Sequence, residues 1–220
     1  MKKFVLSLLT VILSIFTLFS VAGCKKTSSL LPYVSELRAE VFEGNFSSFN
    51  IKAYYGYREN PYINDGKVGN YSHELTFILK GDKTEGTAFT LEIMEYNEVI
   101  NFEKSPSGKL VARLNVDDFD KKEFDVALGY SSQKIQITMR SLLPEGTLNV
   151  NEVLLNIEQT QTNLINSFSP SGTFEGEIYA RIIVKNQKPY WYLALANGKT
   201  LKAFLVDGLT GEVLAIREVI

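Results

Sequence analysis

The chain has 220 residues, of which 45% are hydrophobic and 22% are charged, and its formal net charge at pH 7 is −2. This composition is typical of a folded globular protein and excludes an intrinsically disordered chain. A single cysteine excludes an internal disulfide, and a single histidine excludes zinc sites built on a histidine pair. Because the basic residues form no stripe along the sequence, nucleic acid is not an expected partner.

The first 24 residues have the organisation of an export signal. Lys2 and Lys3 form a positive n-region, and residues 4–21 are apolar apart from scattered serines and threonines. Small residues then precede Cys24, as they do at a processing site. An uncleaved membrane-spanning helix is the alternative, because the apolar run is just long enough to cross a hydrocarbon core.

The string VAGC that ends at Cys24 resembles the lipobox of bacterial lipoprotein signal peptides. The resemblance implies cleavage before Cys24, diacylation of its sulfur, and a lipid-anchored location on the extracytoplasmic face of the cell membrane. We therefore expect a signal peptide over residues 1–23 and a lipidated, solvated polar tether over 24–31. A chain that begins at Cys24 carries 21 basic and 25 acidic residues, a formal net charge of −4. The alternative interpretation is an incidental cysteine at the foot of an anchor helix.

Residues 32–142 alternate apolar and polar side chains at a period of two, which is typical of half-buried strands. The alternation occurs in seven runs, at residues 37–41, 49–55, 75–79, 89–93, 110–116, 124–130 and 135–139. Turn-forming residues separate the runs, at residues 64–66, 81–83 and 105–108. Seven short strands without a convincing helix predict an N-terminal antiparallel β-sandwich domain.

The pattern changes after residues 142–147. Apolar residues then follow the spacing of an amphipathic helix, which the sequence predicts over residues 150–168 with Asn149 or Asn151 as the N-cap. Pro170 lies just beyond the end of that helix.

Four further strands are predicted after the helix, at residues 174–184, 190–195, 201–205 and 213–216. Asn197-Gly198 predicts a two-residue hairpin between two of them. Trp191 is expected to be buried against the helix, because Leu193 and Leu195 share its face of the strand. Residues 149–220 therefore form a predicted C-terminal unit of one helix and a four-stranded antiparallel sheet, and the whole chain is predicted to be mainly β with an α+β part.

This C-terminal unit carries a second resemblance. The strings PYWYL at 189–193, NGK at 197–199 and FLVDGLTGEVL at 204–214 look like the C-terminal half of a PepSY-type domain. That family pairs helices with a small antiparallel sheet and is associated with extracytoplasmic bacterial proteins, including peptidase propeptides and regulators. The resemblance implies a protein partner and brings no catalytic residues. A generic α+β meander is the alternative, because DG-TGE is also favourable turn chemistry.

One segment rich in tyrosine is a candidate binding site. Its candidate residues are Tyr54, Tyr55, Tyr57, Arg58 and Tyr62. Exposed tyrosines beside an arginine are common in recognition surfaces, but tyrosines are equally common in strand cores. Since neighbouring side chains of a strand point to opposite faces, Tyr54 and Tyr55 cannot both be buried in the same core.

No catalytic residue, metal site or cofactor is expected. The sequence contains no Gly-x-Ser-x-Gly elbow that would present a nucleophile to His73, so His73 is interpreted as a surface residue. The acidic loop at residues 115–123 lacks the spacing of a calcium-binding EF-hand and is interpreted as a solvated turn. The leading hypothesis is a lipid-anchored, non-enzymatic protein that binds another envelope protein, with regulation of a peptidase as one form of that role. The alternatives are a module that binds a glycan or small ligand through Tyr54–Tyr62, and a cell-wall or glycan hydrolase that uses His73 and Asp118.

Overall fold

The structure, a computed structural model, describes residues 26–61, 68–81, 88–198 and 200–219. The predicted signal peptide, Cys24, Tyr62 and the predicted turn at 64–66 lie outside the described residues. Within the described ranges, no helix is both long and apolar enough to cross a membrane.

The described residues form thirteen strands and two α-helices, preceded by one turn of 3-10 helix at Leu31–Tyr33. The strands are β1 (Val34–Phe46), β2 (Phe49–Glu59), β3 (Tyr71–Lys80), β4 (Phe89–Ile93), β5 (Glu98–Asn101), β6 (Glu103–Lys104), β7 (Leu110–Asn115), β8 (Glu123–Tyr130), β9 (Gln133–Ser141), β10 (Glu177–Lys185), β11 (Lys188–Ala196), β12 (Leu201–Asp207) and β13 (Val213–Val219). The helices are α1 (Val150–Thr160) and α2 (Thr162–Ser167). The prediction of a mainly β chain is confirmed.

Strands β1–β9 curl into a nearly closed, barrel-like antiparallel sheet in the order β5-β4-β8-β9-β1-β2-β3-β7-β6. The inward side chains form a first hydrophobic core, in which Phe42, Ile51 and Phe77 are fully buried. Burying each such side chain contributes roughly 1.5–3 kcal/mol, so the apolar side of the alternation determines which way every strand faces. The two strands that the sequence pattern missed, β5 and β6, are short and mostly exposed.

Strand β1 belongs to both halves of the molecule. Its first residues, 34–38, pair in parallel with β10, and residues 42–43 pair with β9 farther along the same edge. The four C-terminal strands therefore extend one continuous sheet, in the order β13-β12-β11-β10-β1. They do not form a sheet of their own, contrary to the sequence-based prediction of a separate C-terminal unit. A parallel pair requires a long crossover, and the helices lie within the chain that returns to this edge.

A second hydrophobic core lies between the helices and one face of β10, β11 and β12. Helix α1 contributes Val153, Leu154 and Ile157, which are all fully buried. The expected burial of Trp191 is confirmed, because only 1% of the residue is exposed and its indole Nε1 donates to the Leu148 carbonyl at 2.9 Å.

The ends of α1 differ in how well the sequence predicts them. Asn149 caps the N-terminus, since its side chain accepts from the Glu152 amide and its own amide donates to the Glu152 carboxylate. The predicted single helix over 150–168 is wrong at its centre, because Gln161 leaves the helical conformation and separates α1 from α2. The hydroxyl groups of Thr160 and Thr162 bond carbonyl oxygens of the preceding turn, an interaction that competes with a regular helix.

The structure also differs from the predicted two-residue hairpin at Asn197-Gly198. Strand β11 ends at Ala196 and β12 begins at Leu201, so the connection spans residues 197–200. The Thr200 amide donates to the Asn197 side chain at 3.0 Å, which closes the wider loop.

The segment that enters the fold is packed against α1. Ser28 and Leu30 are each 2% exposed, and their amides donate to the side chains of Asn151 and Glu158. The sequence-based interpretation of residues 24–31 as a solvated tether is therefore wrong from Ser28 onward. A polar stretch looks like a linker in sequence, but here its backbone groups find partners on a helix more than 120 positions away.

Candidate binding site

The structure divides the predicted tyrosine segment between two faces of β2. Tyr54 and Arg58 lie on one face, whereas Tyr55 and Tyr57 lie on the other, as the alternation of a strand requires. The predicted binding residues therefore belong to two separate groups, and Tyr62 lies outside the described residues.

Tyr55 and Tyr57 belong to an aromatic cluster that also contains His73. The ring centroids of Tyr57 and Tyr71 are 4.6 Å apart, and those of Tyr57 and His73 are 5.5 Å apart. Burial, and then the neighbouring Tyr71, raise the pKa of Tyr57 to about 12. Tyr57 is thus a neutral, packed ring at physiological pH.

The same cluster gathers the residues considered for hydrolysis. The hydroxyl group of Tyr55 lies 3.4 Å from Nδ1 of His73. Burial, followed by the negative charge of Asp118, raises the pKa of Tyr55. His73 and Asp118 thus share Tyr55 as a neighbour. Among the described residues, no three histidine, cysteine, aspartate or glutamate side chains are grouped to hold a metal ion.

The other face of β2 carries a charged group that we call the arginine cluster. It consists of Arg38, Arg58, Arg113 and Arg181 with Glu36 and Glu74. The register of the strands brings these residues together, because Arg38 lies beside Arg181 across the parallel pair and Glu36 lies opposite Arg58 across the antiparallel pair.

Glu36 is the centre of the cluster. Its two carboxylate oxygens accept from Arg38 Nε and from one terminal nitrogen of Arg181, each at 2.9 Å. A second carboxylate, that of Glu74, lies 3.4 Å from Arg58 Nε and 4.0 Å from Arg113 Nε. One carboxylate between two guanidinium groups leaves most of the arginine donors free for another acceptor.

Gly56 makes room for this arrangement. It lies opposite Arg38 at the bulge of β1, and a Cβ atom at this position would lie 1.8 Å from the Leu37 carbonyl oxygen. On the same face, the Arg38 guanidinium lies 5.8 Å from the centre of the Tyr54 ring, a cation–π distance.

A cavity of about 510 Å³ opens beside the cluster, on the face of the sheet opposite α1. Its lining residues are Glu36, Arg58, Tyr179, Arg181, Tyr192, Ala194 and Leu201. The arginine side chains are 50% and 43% exposed, whereas that of Glu36 is only 19% exposed. The guanidinium groups therefore reach the opening, while the carboxylate lies beneath them.

The donors of Arg181 are incompletely satisfied. Its Nε is buried and has no hydrogen-bond partner within the described part of the chain. Glu177, on the same face, is fully buried and accepts from the Tyr179 hydroxyl group at 3.0 Å. The arginine cluster and Glu177 together comprise four arginines and three glutamates, and the arginine side chains are more exposed than the glutamates.

A second cavity, of about 630 Å³, lies where β1 meets the loop before α1. Its walls include the apolar residues Leu37, Leu148 and Trp191, and the ion pair between Glu40 and Lys122 lies at its edge. It lacks the free arginine donors of the first cavity, which is therefore the candidate site.

Of the residues that line this cavity, sequence reasoning predicted only Arg58, and Tyr54 lies nearby beneath the Arg38 guanidinium. Tyr179, Arg181 and Tyr192 were missed because they lie on strands β10 and β11, far away in sequence. Their alternation with buried residues shows that they share a face, but it does not show that this face adjoins β1.

No family model matches this chain, and neither a curated protein nor a solved structure matches it. The ligand chemistry of the site is therefore inferred from the residues that form it.

Proposed function

We propose that this protein is a lipid-anchored, extracytoplasmic, non-enzymatic binding protein whose cavity binds an acidic segment of another envelope protein. The lipid is attached to Cys24 in this proposal. The observation that carries the proposal is the pair of outward guanidinium groups, those of Arg58 and Arg181, above the cavity of about 510 Å³.

The chemistry of the cavity suits a carboxylate side chain. A guanidinium group binds a carboxylate through two parallel hydrogen bonds, and hydrogen bonds to charged groups contribute about 1.5–3 kcal/mol each. Tyr192 and Leu201 add aromatic and apolar contact area beside the charges. The volume is in the usual range of ligand pockets and accommodates a few residues of an extended chain.

The lining supports binding rather than catalysis. None of the described residues that line the cavity is a serine, threonine, cysteine or histidine. Its only carboxylate, that of Glu36, already accepts from two arginines.

We also propose that the C-terminal segment, residues 149–220, has a PepSY-like regulatory role within the continuous sheet and that the partner is a peptidase. The resemblance at residues 189–214 supports this form of the proposal. Strands β10 and β11 of that region supply Tyr179, Arg181 and Tyr192 to the cavity.

The first test uses an acidic peptide as the probe, with a thermal shift as the measurement. A synthetic peptide rich in glutamate should raise the melting temperature of the full chain, because a ligand that binds only the folded state stabilises it. The shift should be lost in the double variant Arg58→Gln/Arg181→Gln. Arg140→Gln is the matched control, since Arg140 is an exposed, ion-paired arginine on β9. An equal shift in both variants would contradict the assignment of the site.

The second test identifies the partner by cross-linking on intact cells, followed by mass spectrometry. The full chain and the double variant serve as baits. An acidic envelope protein that the full chain captures and the double variant does not would support the proposal. Capture that is unaffected by the substitutions would contradict it.

A second candidate function, glycan binding, is favoured by the aromatic cluster. Tyr71 is 42% exposed and packs at 4.6 Å against Tyr57, so it offers a sugar ring a rigid aromatic surface. A neutral glycan that shifts the melting temperature of the full chain, but not that of Tyr71→Ala, would establish this alternative.

A further inference from the structure

The entry segment is attached to α1 by a set of hydrogen bonds. Asn151 accepts from the Ser28 amide at 2.8 Å and donates to the Lys26 carbonyl at 3.1 Å. Glu158, two turns along the helix, accepts from the Ser29 hydroxyl at 2.6 Å and from the Leu30 amide at 3.0 Å. Ser28 and Leu30 are almost completely buried. The folded body of the protein therefore begins no later than Ser28.

This attachment leaves very little free chain after Cys24. Four residue steps separate Cys24 from Ser28, and a fully extended chain spans at most about 14 Å over that length. A folded domain of this size has a radius of gyration of about 16 Å, and hence a radius of about 20 Å. The chain between Cys24 and Ser28 is thus shorter than the radius of the folded domain that it tethers.

The cavity lies on the far side of the sheet from this attachment. Ile178, Ala180 and Ile182 of β10 point into the second core beneath the helices. Tyr179 and Arg181 alternate with them and therefore point to the opposite face, where they line the cavity. The entry segment is thus held on the α1 side of the sheet, whereas the arginine cluster lies on the opposite face.

We propose that the protein lies with its α1 side against the lipid surface, so that the arginine cavity faces the aqueous envelope. This inference rests on the proposed acylation of Cys24. A lipid at Cys24 holds Ser28 within about 14 Å of the headgroups, which is too short for the body to turn its far face to the membrane. The acidic ligand is then a segment of a protein in the envelope and not an anionic headgroup of the same membrane.

The test measures the distance of two positions from the lipid surface by fluorescence quenching. Full-length protein carries one new cysteine, either Gln159→Cys on α1 or Ile183→Cys on the cavity side of β10; both positions are exposed. Because acylated Cys24 has no free thiol, a fluorophore labels only the new cysteine. The protein is reconstituted in vesicles whose lipids carry a nitroxide quencher on the headgroup.

We expect several-fold stronger quenching at position 159 than at position 183. Equal quenching, or stronger quenching at 183, would overturn the proposed orientation. As a control, about twenty glycine and serine residues are inserted between Thr27 and Ser28, which adds a root-mean-square span of about 25 Å. The difference between the two positions should then shrink. An unchanged difference would overturn the short attachment as its cause.

Failure of the anchor and failure of the binding function give distinct results. The mass of the N-terminal peptide that begins at Cys24 shows whether a fatty acid is attached. A peptide without the fatty acid would overturn the proposed orientation, because the orientation depends on acylation of Cys24. Loss of acidic-peptide binding, by contrast, would contradict the proposed ligand and leave the quenching result unchanged.

Discussion

The guanidinium group of Arg181 donates a hydrogen bond of 2.9 Å to the carboxylate of Glu36, which lies 145 positions earlier in the sequence. The bond crosses the parallel pair of β1 and β10, the connection that joins the barrel-like sheet to the C-terminal strands. Since Glu36 also binds Arg38, one carboxylate positions two of the four arginines of the cluster.

Removing the charge of Glu36 should affect stability and binding in opposite directions. In Glu36→Gln, two partly exposed ion pairs are lost, and the free energy of unfolding should fall by about 1 kcal/mol in urea titrations. The cavity gains positive charge, so the glutamate-rich peptide should bind more tightly. Glu92→Gln, which removes the ion pair with Lys134 between β4 and β9, is the control and should leave peptide affinity unchanged, because neither residue lines the cavity. Weaker peptide binding in Glu36→Gln would show that Glu36 itself contacts the ligand.

A side chain at position 56 should disrupt the junction. In Gly56→Ala, the new methyl group would meet the Leu37 carbonyl at 1.8 Å, and both groups belong to backbone that cannot move without breaking the β1–β2 ladder. We expect a loss of about 3 kcal/mol in the free energy of unfolding. Gly146→Ala is the comparison, because nothing lies within 4 Å of a Cβ atom there and only its positive φ is unfavourable. Equal losses in the two variants would argue against a tight junction.

The raised pKa of Tyr57 predicts a loss of stability in alkali. The unfolded chain releases the phenol proton near pH 10, whereas the folded protein retains it until about pH 12. Between these values the unfolded state binds fewer protons, so the free energy of unfolding falls as the pH rises. Below pH 10 the contribution is fully present.

Tyr57→Phe tests this assignment. The variant keeps the ring but has no proton to release, so its stability should fall less steeply between pH 10 and about 12 than that of the unmodified chain. Urea titrations across this range provide the measurement. Identical pH profiles for the two proteins would assign the alkaline loss to other groups.

The two asparagines at the start of α1 should have separable roles. Asn149→Ala removes the capping box and should lower the free energy of unfolding by about 1 kcal/mol. Asn151→Ala removes the partner of Ser28 and Lys26, so it should speed amide hydrogen exchange at residues 26–30 while α1 remains protected. Faster exchange along α1 in Asn151→Ala, or at residues 26–30 in Asn149→Ala, would contradict this division.

Local features were predicted well from the sequence because their causes lie within a few residues. The period-two alternation identified eleven of the thirteen described strands, and the apolar spacing of α1, with Asn149 or Asn151 as its cap, identified the helix start to within two residues. Burial of Trp191 followed from its neighbours on the same face. The break at Gln161 was missed, because the six successive polar residues at 158–163 weaken a helix without requiring it to stop.

The sequence by itself determined that this chain is mainly β, where most of its strands lie, and that a helix begins at residues 149–151. Only the tertiary structure decided that β10 lies beside β1, that the C-terminal strands extend one sheet, and that Ser28 is held by Asn151. The physical reason is that alternation records which face of a strand is buried, whereas the identity of the neighbouring strand depends on the packing of the whole chain. The arginine cluster exists only through that neighbour, since Arg38 and Arg181 meet where the two strands pair.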